Sequence, residues 1–168
     1  QRDVRWAMAL ALDIVQVSMD TFSGQMRVSP LQMPPTTFMS NLYHKEMRQQ
    51  LIDYTWEDGY QPFDKDYALK LYEVLIDEGY DAVEGMSEEE LIDLFGIGWG
   101  KHDEEKAEEL MVKSGCERDS EGFWTYNGER LAFEIICPSG FEAQSERLSY
   151  ACASQWYEFG FDATVQAS

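Results

Sequence analysis

Apolar residues recur three or four positions apart near the start of the chain, and this spacing predicts an amphipathic helix over residues 4–19. The stripe that would face the core consists of Val4, Ala7, Met8, Ala11 and Val15. The next segment, 24–38, does not continue this pattern, because it contains Gly24, Pro30, Pro34 and Pro35. Proline lacks the backbone N–H that a helix interior needs, so we expect an extended path there.

Three further helices are predicted from residues that favour helix ends. The expected N-terminal caps are Asp64, Ser87 and Asp103. Glycines that would end the first and the last of these helices are Gly79 and Gly115. Ser87 and Glu90 have the spacing of a capping box, in which each side chain bonds the backbone amide of the other residue. The first of the three helices would bury a stripe of Tyr67, Leu71 and Leu75.

The last third of the chain has the pattern of short strands around one long helix. Asn127-Gly128 predicts a tight turn in a hairpin that joins strand 123–126 to strand 131–137. A helix that ends at Gly160 follows, and 161–165 is the predicted returning strand. Such crossovers are right-handed and place their two strands in parallel. The predicted fold class is therefore α/β, with several helices on a small mixed sheet that ends in a right-handed β-α-β unit.

Composition narrows the classes of partner. The chain has 168 residues, 44% of them apolar, which is enough for one domain with one core. It has 32 acidic and 13 basic residues and a net charge of −19. Nucleic acids and anionic membrane surfaces are disfavoured as partners, because binding to either needs clustered Lys and Arg. An acidic surface is typical of a secreted or salt-adapted protein.

The sequence does not favour a metal site or a cofactor. The three cysteines, Cys116, Cys137 and Cys152, include no C-x-x-C pair, and His44 and His102 are the two histidines. Cys137 and Cys152 have the apolar surroundings of core residues, while a disulfide that involves Cys116 stays open. The turn 119–122 has carboxylates but lacks the alternating ligands of an EF-hand calcium loop, so a plain turn is favoured.

No catalytic constellation stands out either. The chain has no G-x-S-x-G nucleophile elbow and no H-E-x-x-H zinc motif. Ser139, which precedes Gly140, has the context of a nucleophile but also that of a helix N-cap. With Glu142 three residues on, the capping interpretation is preferred. The chain is therefore not expected to be an enzyme.

Four passages, in this order and spacing, resemble family 5 of the bacterial extracellular solute-binding proteins. Residues 4–13 (VRWAMALALD) resemble the family's VRRAIAYAID helix, and residues 102–110 (HDEEKAEEL) resemble YDPEKAKELL. Residues 121–135 are similar to a family hairpin that contains DGDGIW and PLSFTI. Residues 153–163 (ASQWYEFGFDA) resemble AQQLKEIGIDV. The stretch 40–100 departs from the family pattern and is interpreted as a helical insertion.

This resemblance implies what the chain is part of and what it does. Residues 1–168 would form a single domain, a fragment of the C-terminal lobe of a two-lobed type II periplasmic binding protein. The parent protein would capture an oligosaccharide or oligopeptide between its lobes by hinge closure and present it to the permease subunits of an ABC importer. A periplasmic or extracellular location follows, with or without a lipid anchor. The alternatives are a free-standing protein-interaction domain and, less favoured, a hydrolytic enzyme.

Aromatic residues outside the helical stripes are the candidate ligand contacts. Trp56, Trp99 and Trp124 lie in loop or hairpin contexts, where a flat indole face could stack on a sugar ring. Each could equally be a core residue. Ser139 and Phe141, in the loop that follows strand 131–137, complete the candidate set. Few basic residues and several such tryptophans favour an oligosaccharide slightly over a peptide.

The net charge generates a prediction about salt. At −19 the chain repels itself, and salt screens this repulsion. We expect the melting temperature to rise between about 10 mM and about 500 mM NaCl, a range over which the Debye length shortens severalfold. Calorimetry at a series of salt concentrations measures this, and a flat or falling melting temperature would contradict it.

Overall fold

The computed structural model describes residues 2–31, 36–140 and 142–168, and the chain divides into two compact units. The first unit combines Gln1–Phe22 with His102–Ser168, and the second is Ser23–Lys101. The interpretation of 40–100 as an insertion into a single domain stays a prediction. No helix within the described ranges has both the length and the apolar character needed to cross a membrane.

The helices, in chain order, are α1 (Arg2–Leu10), α2 (Ile14–Phe22), α3 (Thr37–Met39), a π-helical segment (Ser40–Glu46), α4 (Arg48–Ile52), α5 (Tyr67–Asp77), a 3-10 turn (Asp81–Val83), α6 (Glu88–Phe95), α7 (Glu104–Lys113) and α8 (Ala143–Phe159). The strands are β1 (Glu117–Arg118), β2 (Trp124–Tyr126), β3 (Glu129–Arg130), β4 (Ala132–Cys137) and β5 (Asp162–Ala167). This combination confirms the mixed α/β class.

The helix predicted over 4–19 is two helices, because Asp13 interrupts it. The Asp13 carboxylate accepts the backbone N–H groups of Val15 (3.0 Å) and Gln16 (3.1 Å), which caps the start of α2. Its own backbone N–H donates to Oε1 of Gln155 in α8, at 2.7 Å. A single Asp inside an apolar pattern therefore ends one helix and begins the next.

Helices α1 and α7 pack on each other in the first unit. Of the stripe predicted for the first helix, Ala7 and Ala11 are buried, whereas Val4, Met8 and Val15 are only partly buried. The buried positions of α1 and α7 are Ala7, Leu10, Ala107, Leu110 and Met111. The Asp103 carboxylate accepts the N–H of Lys106 at 2.9 Å, which confirms Asp103 as the cap of α7. Its backbone N–H donates to the carbonyl of Leu10, so the cap also joins the two helices.

The Asn127-Gly128 turn is confirmed, but the strand that it leads into is shorter than predicted. Both residues have positive φ, 53° and 81°, as a tight hairpin turn requires. The turn joins β2 to β3, and β1 pairs with the other edge of β2. Leu131 then changes sheets: its N–H donates to the Trp124 carbonyl, while its own carbonyl accepts from Asp162. Strand 131–137 is therefore not the second arm of the hairpin.

The strand β4 belongs instead to a parallel pair with β5, in register from Ala132 opposite Asp162 to Cys137 opposite Ala167. Helix α8 connects the two strands and packs against both, which confirms the predicted β-α-β unit. Aromatic side chains fill the space between helix and strands, with Phe133 in edge contact with Trp156 at 5.3 Å.

The predicted capping box at the start of α8 is wrong. The helix begins at Ala143, after Glu142, and Glu142 makes no capping hydrogen bond through its side chain. Ser139 lies three residues before Glu142, and its backbone N–H donates to the carbonyl of Ser168, which extends the β4–β5 pairing. Ser139 therefore lies at the end of the parallel β4–β5 pair and does not cap α8.

The C-terminal end of α8 is fixed to the hairpin by backbone carbonyls. The Trp124 N–H donates to the Gly160 carbonyl at 2.7 Å, and the Trp124 indole N–H donates to the Phe159 carbonyl at 3.1 Å. Arg118 donates to the Phe159 carbonyl and to that of Gly122, and its guanidinium lies 4.2 Å from the centre of the Trp124 ring. Two orphan carbonyls of a helix end thereby gain partners.

The second unit is built on α5 and α6, which pack on each other. The stripe predicted for α5 is buried, as Tyr67, Leu71 and Leu75 show. Asp64 is not the cap: the helix begins at Tyr67, and the buried Asp64 carboxylate binds the Asp66 N–H and Lys70 instead. An isolated bridge between Val28 and Gly96 ties the extended segment after α2 to the end of α6.

The capping box at α6 is confirmed. The Ser87 hydroxyl accepts the Glu90 N–H, and the Glu90 carboxylate accepts the Ser87 N–H at 2.7 Å. The Ser87 backbone N–H and the Ser87 hydroxyl both donate to the Glu90 carboxylate, and these two hydrogen bonds, backbone first, lower the pKa of Glu90 below its ordinary value. The carboxylate also lies in the first turn, where the helix dipole favours negative charge.

The three cysteines, which all lie in described segments, are free thiols. Cys137 is buried, as expected for a small core residue, whereas Cys152, which was also expected in the core, is only partly buried. Cys116, for which a disulfide stayed open, is buried as a free thiol. Burial raises the pKa of Cys152 to about 11, so this thiol is protonated at neutral pH and is a poor nucleophile.

Gly160 provides a test of how α8 meets the hairpin. Its φ is 101°, and a Cβ there would lie 2.6 Å from the Gly122 carbonyl oxygen. Gly115 also has positive φ, at 80°, but its Cβ would make only an ordinary contact with Tyr126 at 3.7 Å. We expect Gly160→Ala to lower the free energy of unfolding by roughly 3 kcal/mol and Gly115→Ala by about 1 kcal/mol, because only the former adds a clash to the backbone strain. Urea denaturation followed by tryptophan fluorescence measures both, and equal losses would contradict this packing.

Candidate functional site

Trp99 is the most exposed of the three candidate tryptophans. It is 47% exposed, at the centre of the loop 97–101 in the second unit. Two backbone bonds fix this loop: the Gly98 N–H donates to the Asp64 carbonyl at 2.8 Å, and the Lys101 N–H donates to the Pro62 carbonyl at 2.9 Å. An exposed aromatic ring on a fixed loop is a ready contact surface for a ligand.

Gly98 allows this loop to lie close to Asp64 and to the start of α5. A Cβ at position 98 would lie 2.7 Å from the Cβ of Asp64 and 3.0 Å from that of Tyr67. Any side chain would therefore push the loop away from the start of α5. The position of Trp99 depends on a residue without a side chain directly before it.

Trp56 lies in a turn that belongs to the same unit. Its backbone N–H donates to the Tyr60 carbonyl at 2.8 Å, and the two rings are 4.9 Å apart with an interplanar angle of 40°. The ammonium group of Lys101, two residues after Trp99, lies 5.6 Å from the centre of the Tyr60 ring. Tyr54, 39% exposed, contacts Phe63 at 5.6 Å on the same stretch of chain. We call Tyr54, Trp56, Tyr60, Trp99 and Lys101 the aromatic patch.

Trp124, which was predicted as a candidate ligand contact, is a core residue. It is 3% exposed, lies 5.9 Å from Phe159, and uses its indole N–H on the Phe159 carbonyl. The Arg118 guanidinium lies over its ring, 4.2 Å from the ring centre. A side chain held in this way has no face left for a solute.

The remaining two candidates lie in the first unit or outside the described part of the chain. Ser139 is exposed at the end of β4, where its backbone amide binds Ser168. Phe141 lies outside the described residues. The structure therefore places Trp56 and Trp99 together in one unit, whereas Trp124 and Ser139 belong to the other.

Sequence reasoning missed both tyrosines of the aromatic patch, Tyr54 and Tyr60. Both flank Trp56 closely in the sequence, and a cluster of three aromatic residues within seven positions is a signal that could have found them. Lys101 was missed because its approach to Tyr60 depends on the backbone bond between the two loops.

The turn 119–122 binds a cation of the chain itself. Arg130 donates to the carboxylates of Asp119 and Glu121, each at 2.6 Å. Asp119 also accepts the N–H groups of Glu121 and Phe123. The described residues contain no group of three or more His, Cys, Asp or Glu side chains placed to hold a metal ion.

The first unit also contains an open groove. Its walls are mostly apolar, and it is lined by Val4, Arg5, Ser114, Cys116, Tyr126 and Leu131. It lies where α1 and the end of α7 meet the hairpin. The residues in its wall offer packing surface but few polar groups to orient a ligand.

Comparisons with known proteins give a fold and no sequence family. No protein-family model and no curated protein sequence matches the chain. Among solved structures, the oligopeptide-binding protein AppA from Bacillus subtilis, in complex with a nonapeptide, is similar over 100% of this chain, with a TM-score of 0.57 and 13% identity. The oligopeptide-binding protein from Thermus thermophilus, with a pentapeptide, has a TM-score of 0.53 and 15% identity over 99% of the chain. Lactococcal OppA, closed on an endogenous peptide, has a TM-score of 0.52 and 14% identity over 99%.

The similarity covers this whole chain but only part of the neighbours. The chain spans 23% of AppA, 19% of the Thermus protein and 21% of OppA. At such low identity the similarity shows the fold alone. The chain therefore has the mixed α/β fold found in part of an oligopeptide-binding protein.

The different placements of Trp99 and Trp124 generate a prediction about stability. Trp124→Ala should lower the free energy of unfolding by about 3–5 kcal/mol, because it leaves a cavity in a packed core. Trp99→Ala should change it by no more than about 0.5 kcal/mol, as is usual for a surface position. Urea denaturation monitored by circular dichroism measures both variants. If Trp99→Ala is as costly as Trp124→Ala, Trp99 belongs to the core and the aromatic patch is not a contact surface.

Proposed function

We propose that this chain is a section of an extracellular solute-binding protein and that its parent captures a small solute reversibly for an ABC importer. The observation that carries this proposal is the similarity of the whole chain to three binding proteins, AppA, OppA and the Thermus protein, each solved in complex with a peptide. The share of those proteins that the chain covers supports a role as part of a larger binding protein. Hinge closure of that larger protein would bury the ligand.

An oligopeptide is the ligand class that the neighbours favour. AppA holds a nonapeptide, OppA an endogenous peptide and the Thermus protein a pentapeptide. A peptide offers both apolar side chains and charged ends. The aromatic patch could contact the former, and Lys101 could attract an acidic group.

An oligosaccharide is the second candidate, and the exposure of Trp99 supports it. An indole face that is open to solvent and fixed by a hydrogen-bonded loop can stack on a sugar ring with little loss of side-chain freedom. The tilted pair of Trp56 and Tyr60 adds a second aromatic surface in the same unit.

The aromatic patch would bind the ligand through surfaces that are already in place, and it would not react with the ligand. The backbone bonds from Gly98 and Lys101 fix the loop before any ligand arrives. Preorganisation of this kind reduces the entropy lost on binding. In this proposal the protein binds and releases its ligand unchanged, outside the cell or in the periplasm, and permease subunits receive it.

Two other functions make different predictions. A free-standing interaction domain would bind a protein partner through this chain alone. A hydrolytic enzyme would need an activated nucleophile or a paired acid and base in a pocket, and the partly buried thiol of Cys152 is protonated at neutral pH. Neither alternative accounts for a fold shared with oligopeptide-binding proteins over the whole chain.

Calorimetry on the full-length parent protein tests the proposal. Pools of short peptides and of oligosaccharides are titrated separately, and we expect one pool to contain a saturable ligand. Trp99→Ala should weaken that ligand by about 1 kcal/mol, roughly fivefold, because a stacked aromatic contact is lost. Tyr150→Ala, which removes an exposed ring in the first unit, serves as the matched control and should bind like the wild type.

The two parts of the proposal fail separately. If neither pool binds to the folded parent protein, solute capture is wrong. If a ligand binds and Trp99→Ala binds it as tightly as the wild type, capture stands but the aromatic patch is not part of the site.

A further inference from the structure

The groove where α1 and the end of α7 meet the hairpin is large enough for a small organic molecule. Its volume is about 510 Å³, within the range of roughly 300–1,000 Å³ that is usual for small-molecule sites. Its described lining residues all belong to the first unit. One compact unit therefore contains the whole of this described wall.

Backbone hydrogen bonds hold the walls of the groove in place. The Cys116 N–H donates to the Met111 carbonyl at 3.0 Å, which fixes the chain where it leaves α7. Leu131 is held twice, because its N–H donates to the Trp124 carbonyl at 2.8 Å and its carbonyl accepts the Asp162 N–H at 3.1 Å. A site that is formed in advance in this way loses less entropy when a ligand binds.

Apolar side chains supply most of the wall. Val4 and Leu131 are only partly buried, and Tyr126 is 50% exposed, so all three retain surface that a ligand can cover. Burial raises the pKa of the Cys116 thiol above its ordinary value, so this side chain is uncharged at neutral pH and adds to the apolar surface. A ligand would gain binding free energy here mainly by covering apolar groups.

Arg5 is the charged residue among the described residues that line the groove. Its side chain is exposed, and no carboxylate in the described part of the chain forms an ion pair with it. Other cations of the first unit are paired within the chain, such as Arg118 with Glu108 and Lys113 with Asp3. The described wall includes no acidic side chain, although the chain has 32 acidic residues. The charge of Arg5 is therefore available to an anionic ligand.

The two sides of the groove differ in their preference for charge. Ser114 follows the last turn of α7, where the negative end of the helix dipole disfavours an anion. Arg5 lies on α1 and provides a positive charge. A ligand with one anionic end and one apolar end would therefore place its anionic group at Arg5.

We propose that this groove binds an amphipathic carboxylate, a molecule with one carboxylate group and an aliphatic chain. The planar N–H donors of the Arg5 guanidinium match the geometry of a carboxylate, and the aliphatic chain would cover Val4 and Leu131. The groove belongs to the first unit and the aromatic patch to the second, so this proposal does not depend on the proposed transport function.

Isothermal titration calorimetry of the 168-residue chain with hexanoate and octanoate tests the proposal. We expect both acids to bind saturably, and octanoate to bind roughly 15-fold more tightly because it buries two further CH₂ groups. Arg5→Gln should weaken octanoate about fivefold, as expected for the loss of an exposed ion pair. Arg147→Gln, which removes the same charge from an exposed position on α8, is the matched control and should bind octanoate like the wild type.

NMR of the ¹⁵N-labelled wild type locates the site without a variant. Octanoate should shift the Nε–Hε signal of Arg5 to saturation and leave that of Arg147 in place. This readout decides the matter even if Arg5→Gln does not fold.

Several outcomes would overturn the proposal. The first is an Arg5 signal that does not move with octanoate, or that moves linearly together with that of Arg147. Equal affinities for hexanoate and octanoate would show that the groove does not cover the aliphatic chain. If 1-octanol loses as much affinity as octanoate in Arg5→Gln, the variant has altered the groove and the carboxylate is not what Arg5 recognises. A dimer of the chain in sedimentation equilibrium that Tyr126→Ala dissociates would assign the groove to a second copy instead.

Discussion

The first unit depends on one contact, the docking of the C-terminal end of α8 against the hairpin. Trp124 donates two hydrogen bonds to the carbonyls of Phe159 and Gly160, and Arg118 adds a third while covering the indole ring. Gly160 makes this approach possible, because a Cβ would collide with the Gly122 carbonyl. The chain leaves Gly160 directly into β5, so the same contact sets where β5 starts and pairs with β4.

In the second unit, backbone hydrogen bonds likewise hold loops in fixed positions. Backbone bonds from Gly98 and Lys101 fix one loop to residues 62–64, and the bridge between Val28 and Gly96 fixes the chain just before it. The fixed loop presents Trp99 to solvent.

Local signals in the sequence predicted local structure well. The capping box at Ser87, the cap at Asp103 and the Asn127-Gly128 turn depend on neighbours within three residues, and all are confirmed. Two of the failures needed distant partners. Asp13 breaks a helical stripe and is held by Gln155, and Ser139 binds Ser168 instead of capping α8. The role of each tryptophan depends in the same way on tertiary packing, which the pattern around Trp124 does not reveal.

The central claim is reversible capture without chemistry, and equilibrium dialysis of the full-length parent protein tests it most directly. The protein is dialysed against a mixed pool of peptides and oligosaccharides, and the retained and free solutes are identified by mass spectrometry. The account predicts that about one equivalent of solute per protein is retained and is recovered chemically intact, as expected for a single interlobe site. Accumulation of cleaved products in excess of the protein, or retention of no solute by the folded protein, would contradict it.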